Sequence, residues 1–96
     1  MSTNEKPRIR DFYALILEDS EDESYYRVIK LGLIEKISNY FDQLLKCKNK
    51  EDYESFNRLS DVKYQRRKTC NKVYPATIIK ISSELYTIIF VLNVQN

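Results

Sequence analysis

The chain has 96 residues, of which 43% are hydrophobic and 31% charged, which suits one folded domain and excludes a disordered tail. It contains no histidine and a single glycine, which excludes Ser–His–acid and Cys–His catalysis and glycine-rich phosphate loops. The formal net charge is +2, and no secretory segment or long apolar run is present, so we expect a soluble, intracellular protein without a membrane partner.

The first part of the chain predicts a flexible arm followed by a β-hairpin. Residues 1–7 are polar and form the expected arm. Residues 9–17 are aromatic and aliphatic, and the centre of this stretch predicts a strand buried on both faces. Residues 24–31 alternate and predict its partner strand. Between them lies the acidic run, residues 18–23, with five acids in six positions. We expect this run to be a solvated connection.

Two helices are predicted next. After Gly32 the apolar residues recur every three or four positions, which indicates an amphipathic helix. Asn49 is a favourable N-cap for a second helix, whose end the pattern leaves open. An all-helical structure over residues 50–80 is the main alternative. The apolar stripe of the first helix comprises Leu33, Ile34, Ile37, Tyr40, Phe41, Leu44 and Leu45, and the narrower edge of the second comprises Tyr53, Phe56 and Leu59.

From Val73 onward the composition is typical of strands. Residues 76–81 and 85–94 are rich in Ile, Val, Thr and Phe, and residues 82–84 predict a short hairpin loop between them. The predicted order is β-β-α-α-β-β in a single α+β domain over residues 1–96, with helices packed on one face of an antiparallel sheet. The strand order does not follow from the pattern.

Charge is distributed unevenly along the chain. Up to Leu45 there are six Lys or Arg against nine Asp or Glu, whereas residues 46–80 contain ten bases against four acids. The basic segment, residues 63–72, contains five bases and no acid. A positive field confined to one part of a small domain attracts phosphate or an acidic partner even when the net charge is near zero.

We therefore predict a non-catalytic protein that binds nucleic acid through the basic segment with little sequence specificity. Its lysines and arginines would contact phosphates, and Tyr64 and Tyr74 would stack on an exposed base. The segment is either helical or extended. A hydrated loop without function is the alternative, as is pairing with the acidic run, within one chain or across a dimer. The candidate residues are Lys63, Tyr64, Arg66, Arg67, Lys68 and Lys72, joined by Arg8 and Arg10 if the arm lies nearby.

Protein interaction is the alternative function. Eight tyrosines are too many to be buried in so small a domain, and exposed tyrosine is enriched at contact surfaces, although an AT-rich coding sequence would also favour it. The predicted strand 85–94 is long, apolar and uncharged, and at a sheet edge it would invite pairing. The chain would then be a homodimer or an inhibitor of a host complex.

A metal-dependent nuclease is the third hypothesis. The carboxylates that could hold a divalent ion lie in or near the acidic run, which lacks the rigid framing of an active site and the glycine of a calcium loop. We therefore expect no enzyme activity, metal or cofactor. Cys47 and Cys70 have no histidine to complete a zinc site; two buried thiols are favoured over a disulfide. The carboxylates in question are Asp11, Glu18, Asp19, Glu21 and Asp22.

The small size, the bias toward Tyr, Ile and Lys and the shortage of glycine resemble the uncharacterised small accessory proteins of viruses that infect thermophilic archaea. The resemblance is one of composition and is spread over the whole chain. It implies an accessory viral protein that acts in the host cytoplasm by binding nucleic acid or a host complex. It assigns a role to no particular residue.

Overall fold

The computed structural model of the chain describes residues 8–19, 23–47, 49, 59–69 and 71–95. Two single-turn 3-10 helices, Ile9–Asp11 and Leu31–Leu33, precede and follow the first two strands. The larger elements are β1 (Tyr13–Asp19), β2 (Ser24–Lys30), α1 (Ile37–Leu45), β3 (Leu59–Tyr64), β4 (Tyr74–Ser82) and α2 (Leu85–Gln95).

The four strands form one antiparallel sheet in the order β2-β1-β4-β3. The predicted α+β class and the predicted hairpin of β1 with β2 are confirmed. Strand β1 lies inside the sheet because it is apolar on both faces: Ala14, Leu15 and Ile16 are all fully buried. The centre of the sheet is therefore covered from both sides.

Helix α1 covers one face of the sheet. Its Ile37, Phe41 and Leu44 belong to the main core cluster together with Ala14 and Ile16 of β1. The predicted stripe begins too early, because residues 31–33 form a 3-10 turn and Lys36, at φ 56°, precedes the helix in the left-handed conformation. The stripe also ends too late, since Leu45 is 46% exposed.

Helix α2 covers the opposite face. Ile88 of α2 and Leu15 of β1 are both fully buried, and neither belongs to the main core cluster. The side chain of Leu15 points to the opposite face of the sheet from those of Ala14 and Ile16. Leu85 and Ile89 border a cavity together with Tyr13 of β1. The prediction that helices pack on one face is therefore wrong, because a sheet that is apolar on both sides needs a cover on each.

The predicted strand 85–94 is helix α2, and the predicted hairpin loop 82–84 consists of the last residue of β4 and the two residues that lead into that helix. The Glu84 amide donates to Ser82 Oγ at 3.1 Å, and Thr87 Oγ1 donates to Glu84 Oε2 at 3.4 Å. High strand propensity misled the prediction. Strand β4 already pairs with β1 and β3, so a following strand has no free edge beside it, whereas a helix satisfies its own backbone hydrogen bonds.

Strand β3 was not predicted. Leu59 was expected on the edge of the second helix, and residues 51–58 of that helix lie outside the described residues. Cys70 also lies outside them. A bulge between Leu59 and Val62, with Asp61 at φ 62°, places both apolar side chains on one face although they are three residues apart. This spacing hides the two-residue period of a strand. The all-helical alternative over residues 50–80 is wrong for β3 and β4.

Candidate functional site

Glu18 is buried, although it begins the acidic run. The residue lies near the end of β1 and is 4% exposed, and its side chain faces the same side as those of Ala14 and Ile16. The expectation of a solvated run is therefore wrong for this residue. A carboxylate taken out of water needs hydrogen bonds and opposite charge, and Glu18 receives both from the basic segment.

Three side chains surround the Glu18 carboxylate. The Tyr64 hydroxyl donates to Oε1, and Arg66 Nη2 donates to Oε2 at 3.0 Å. Arg27 Nε lies 3.3 Å from Oε1 as an ion pair without hydrogen-bond geometry. Both arginine side chains are about two-fifths exposed, at 41% and 43%. The Glu18 carboxylate is therefore buried, while the two arginine side chains around it reach the solvent.

The surroundings shift the pKa values of the two buried groups in opposite directions. Burial by itself raises the pKa of the Glu18 carboxyl, but the hydrogen bonds from Tyr64 and Arg66, together with the charges of Arg66 and Arg27, outweigh it and lower the pKa below its ordinary 4.5. Burial and the hydrogen bond to Glu18 raise the pKa of the Tyr64 hydroxyl. At neutral pH the cluster is a carboxylate held by a neutral phenol and two guanidinium groups.

Aromatic contacts complete the attachment of Arg66. Its guanidinium carbon lies 4.0 Å from the centre of the Tyr74 ring, and Lys72 Nζ lies 5.2 Å from the same ring. The rings of Tyr64 and Tyr74 are 5.8 Å apart. Arg66 is thus held between a carboxylate and an aromatic face, which anchors the start of the turn that follows β3.

The next two residues, Arg67 and Lys68, line a different region, a cavity of about 640 Å³. Arg10 from the first 3-10 turn and Lys30 from the end of β2 also line this cavity. The described lining residues include no carboxylate. We call this the basic cavity. It is lined by Arg10, Lys30, Arg67 and Lys68, with Ile9, Gly32 and Leu33 supplying apolar surface.

Backbone hydrogen bonds bring the three segments of the basic cavity together. The Gln65 amide donates to the Leu33 carbonyl at 2.8 Å, which ties the turn after β3 to the second 3-10 turn. The Leu31 amide donates to the Phe12 carbonyl at 3.0 Å, which ties that turn to the first. The cavity is therefore built on ordered backbone.

The eight predicted site residues are divided among several places. Arg10, Arg67 and Lys68 meet in the basic cavity, whereas the expected arm, residues 1–7, lies outside the described residues and its position stays a prediction. Arg66 and Tyr64 both bind Glu18. Because Tyr64 is fully buried, the prediction that its ring stacks on a base is wrong. The remaining three residues lie apart from one another. Lys63 lines a smaller cavity with Glu35 and Asp61, and Lys72 lies near Tyr74. Arg8 is exposed and precedes the first 3-10 turn.

Sequence reasoning missed Lys30. It stands alone at the end of β2, and no local charge pattern marks it. In the structure its Nζ donates to the Tyr13 hydroxyl at 3.2 Å and lies 4.3 Å from the centre of that ring. Lys30 lines the basic cavity and also, together with Tyr13, the cavity beside Leu85 and Ile89 of α2. The folding of β2 against β1, which pairs Tyr13 with Lys30, places it there.

A second surface is formed by the outer side of α2. It is apolar and uncharged, and it includes one of the tyrosines expected at the surface. Tyr86, Phe90 and Val94 are 72%, 67% and 66% exposed. Large apolar side chains with this exposure on one helix are typical of a contact surface.

The described residues contain no group of three or more Cys, Asp or Glu side chains that could hold a metal ion. Of the carboxylates considered for a metal, Glu18 is bound by two arginines, and Glu21 and Asp22 lie outside the described residues. Within the part of the chain that the structure describes, no helix is long and apolar enough to cross a membrane.

Comparison of the chain with protein-family models, with curated proteins and with solved structures finds no match in any of the three.

Proposed function

We propose that the chain is a non-catalytic protein that binds the phosphate groups of nucleic acid at the basic cavity. The observation that carries the proposal is the convergence of four bases from three chain segments around one concave surface whose described lining lacks a carboxylate. Arginine offers phosphate a planar pair of donors, and lysine offers a compact charge. Contacts to phosphate carry little sequence information, so the binding has little sequence specificity.

The shape of the cavity favours a flexible single strand over a duplex. Its volume of about 640 Å³ lies within the range of small-molecule sites, about 300–1,000 Å³, so a sugar-phosphate unit fits inside it. Ile9 and Leu33 supply apolar surface for a sugar or the edge of a base. The backbone of a stiff duplex cannot enter a concave site as an unpaired strand can.

The internal cluster around Glu18 supports this site indirectly. Arg66 is neutralised by Glu18 and held on Tyr74, so it is not the phosphate ligand that its position in the basic segment suggests. Its role in the proposal is to hold the first residue of the turn, so that Arg67 and Lys68 face the cavity with little freedom to lose on binding.

The test is fluorescence anisotropy of a labelled oligothymidylate at low salt. We expect Arg67→Ala/Lys68→Ala to weaken binding by about tenfold or more, because two phosphate contacts are lost. The matched control is Lys36→Asn/Lys46→Ala, which removes the same charge from the two residues that flank α1; asparagine suits the left-handed conformation of Lys36. Unchanged affinity in the first variant, or an equal loss in the control, would contradict the proposal.

Protein interaction is the second candidate function, favoured by the exposed apolar side of α2. This side carries no charge and does not serve phosphate binding, so the two functions are separable. A Phe90→Ser change should reduce association with a protein partner and leave oligonucleotide affinity unchanged. The origin among viruses of thermophilic archaea and the site of action in the host cytoplasm stay predictions, and both candidate functions agree with them.

A further inference from the structure

We propose that α2 pairs with α2 of a second copy of the chain, antiparallel and two-fold symmetric, with Phe90 on the symmetry axis. The inference rests on the second candidate function and is independent of phosphate binding. It commits the exposed apolar side of α2 to one partner, the chain itself.

The orientation of α2 is set by its buried side. Ile88 is fully buried, and Thr87, Val91 and Leu92 are half-buried. Tyr86, Phe90 and Val94 are spaced four residues apart, so they lie along one side of the helix, and all three are at least 66% exposed. Ile89, at 43% exposure, widens this side. The helix thus presents a continuous apolar stripe away from its own sheet.

The stripe is complementary to itself. Phe90 is the central residue of the eleven-residue helix Leu85–Gln95, and Tyr86 and Val94 lie four positions to either side of it. In an antiparallel pair with the axis at Phe90, the two Phe90 rings meet, and each Tyr86 faces Val94 of the second copy. A large side chain opposite a small one at both ends lets the helices interlock.

Charge also favours a second copy over a charged partner. Helix α2 itself contains no Asp, Glu, Lys or Arg, and the Glu84 carboxylate that interacts with Tyr86 lies at one end of the stripe, so two copies bring no like charges together across the axis. The antiparallel arrangement places the positive end of each helix dipole beside the negative end of the other. Glu84, next to the start of α2, therefore lies far from Glu84 of the second copy.

The size of the contact sets its strength. Eleven helical residues extend over about 16 Å, so one helix pair buries less than the roughly 800 Å² per partner of a standard interface. We expect a dimer with a dissociation constant in the micromolar range, which forms and dissociates with protein concentration.

The experiment is sedimentation velocity of the full chain from micromolar to near-millimolar concentration. The wild type should shift from monomer to dimer, and Phe90→Glu should weaken dimerisation by at least tenfold, because it places two carboxylates at the axis. Leu45→Glu is the matched control: Leu45 is 46% exposed at the end of α1, and its dimerisation should equal that of the wild type. Circular dichroism checks that each variant is folded.

The register is tested by cysteine cross-linking in a Cys47→Ser/Cys70→Ser background. Phe90→Cys should form an intermolecular disulfide readily under mild oxidation, whereas Tyr86→Cys, displaced from the axis, should do so at least tenfold more slowly. A wild type that is monomeric at every concentration, or a dimer unchanged by Phe90→Glu, would overturn the proposal. If the monomeric wild type loses a different protein partner through Phe90→Glu, self-pairing is overturned while the interaction function stands.

Discussion

At the scale of single residues, the largest departure from expectation is Glu18. Five acids in six positions indicate a hydrated loop, yet the first of them is buried because it is the last inward-facing residue of a strand whose alternation carries it into the core. Tyr64 and Arg66 supply the hydrogen bonds that make burial tolerable. The side chain links the acidic run to the basic segment within one molecule.

Replacing the Glu18 carboxylate tests that link. Glu18→Gln keeps the size of the side chain but leaves Arg27 and Arg66 without an opposite charge. We expect the free energy of unfolding to fall by about 1–2 kcal/mol, less than the roughly 3–5 kcal/mol of a fully buried pair, because both arginine side chains are about two-fifths exposed. Urea unfolding measures it, and Asp19→Asn, at the exposed neighbour, should stay within about 0.5 kcal/mol of the wild type.

The lowered pKa of Glu18 predicts a pH dependence of stability. A carboxyl whose pKa is lower in the folded than in the unfolded state contributes stability above its unfolded value, here 4.5, and loses it as the pH falls through the folded pKa. The difference in unfolding free energy between the wild type and Glu18→Gln should therefore be constant near neutral pH and shrink as the pH falls below the unfolded value of 4.5. A difference that grows on acidification would mean that the folded pKa is raised.

At the scale of elements, α2 shows how a sheet decides the structure of the segment that follows it. Its composition favours a strand, but β4 has neighbours on both edges, and Leu15 on the second face of the sheet needs a cover. A helix meets that need without a free strand edge. The same sheet limits where the outer side of α2 can point, which leaves Tyr86 and Phe90 exposed.

The orientation of α2 predicts a difference between two neighbouring isoleucines. Ile88→Ala should lower the free energy of unfolding by about 2–4 kcal/mol, because a fully buried side chain leaves a cavity. Ile89→Ala, the same change at a position 43% exposed, should cost less than about 1 kcal/mol. Thermal and urea unfolding at low protein concentration, where the monomer predominates, measure both. Equal effects would contradict the assigned face of the helix.

At the scale of the whole molecule, some bases of the basic segment pair with an acid inside the protein, while others line the open basic cavity. One part of the basic segment is neutralised by Glu18, while the next part joins bases from the first third of the chain at the basic cavity. The low net charge therefore coexists with a local concentration of positive charge.

This concentration of charge predicts how strongly salt weakens binding. If the four bases of the basic cavity each meet a phosphate of a single strand, the logarithm of affinity should fall with the logarithm of salt concentration with a slope of about −3. Arg67→Ala/Lys68→Ala should reduce that slope by about half, and Lys36→Asn/Lys46→Ala should leave it unchanged. Anisotropy titrations at several salt concentrations measure the slopes, and a slope near zero would show that the contacts are not ionic.

The sequence by itself determined the elements whose patterns are local. The α+β class, the β1–β2 hairpin and the buried side of α1 follow from alternation and from three-to-four-residue spacing, which depend on neighbours along the chain. It also marked Arg67 and Lys68 as unusual, because they belong to a run of bases without an acid.

The tertiary structure alone decided which distant residues meet. Arg66 pairs with Glu18 across 48 positions, and Lys30, which no pattern marks, joins Arg10, Arg67 and Lys68 at one cavity. It also made residues 85–95 a helix. The physical reason is the same in each case: strand order and free sheet edges set these contacts, and they arise from the packing of the whole chain and not from any local pattern.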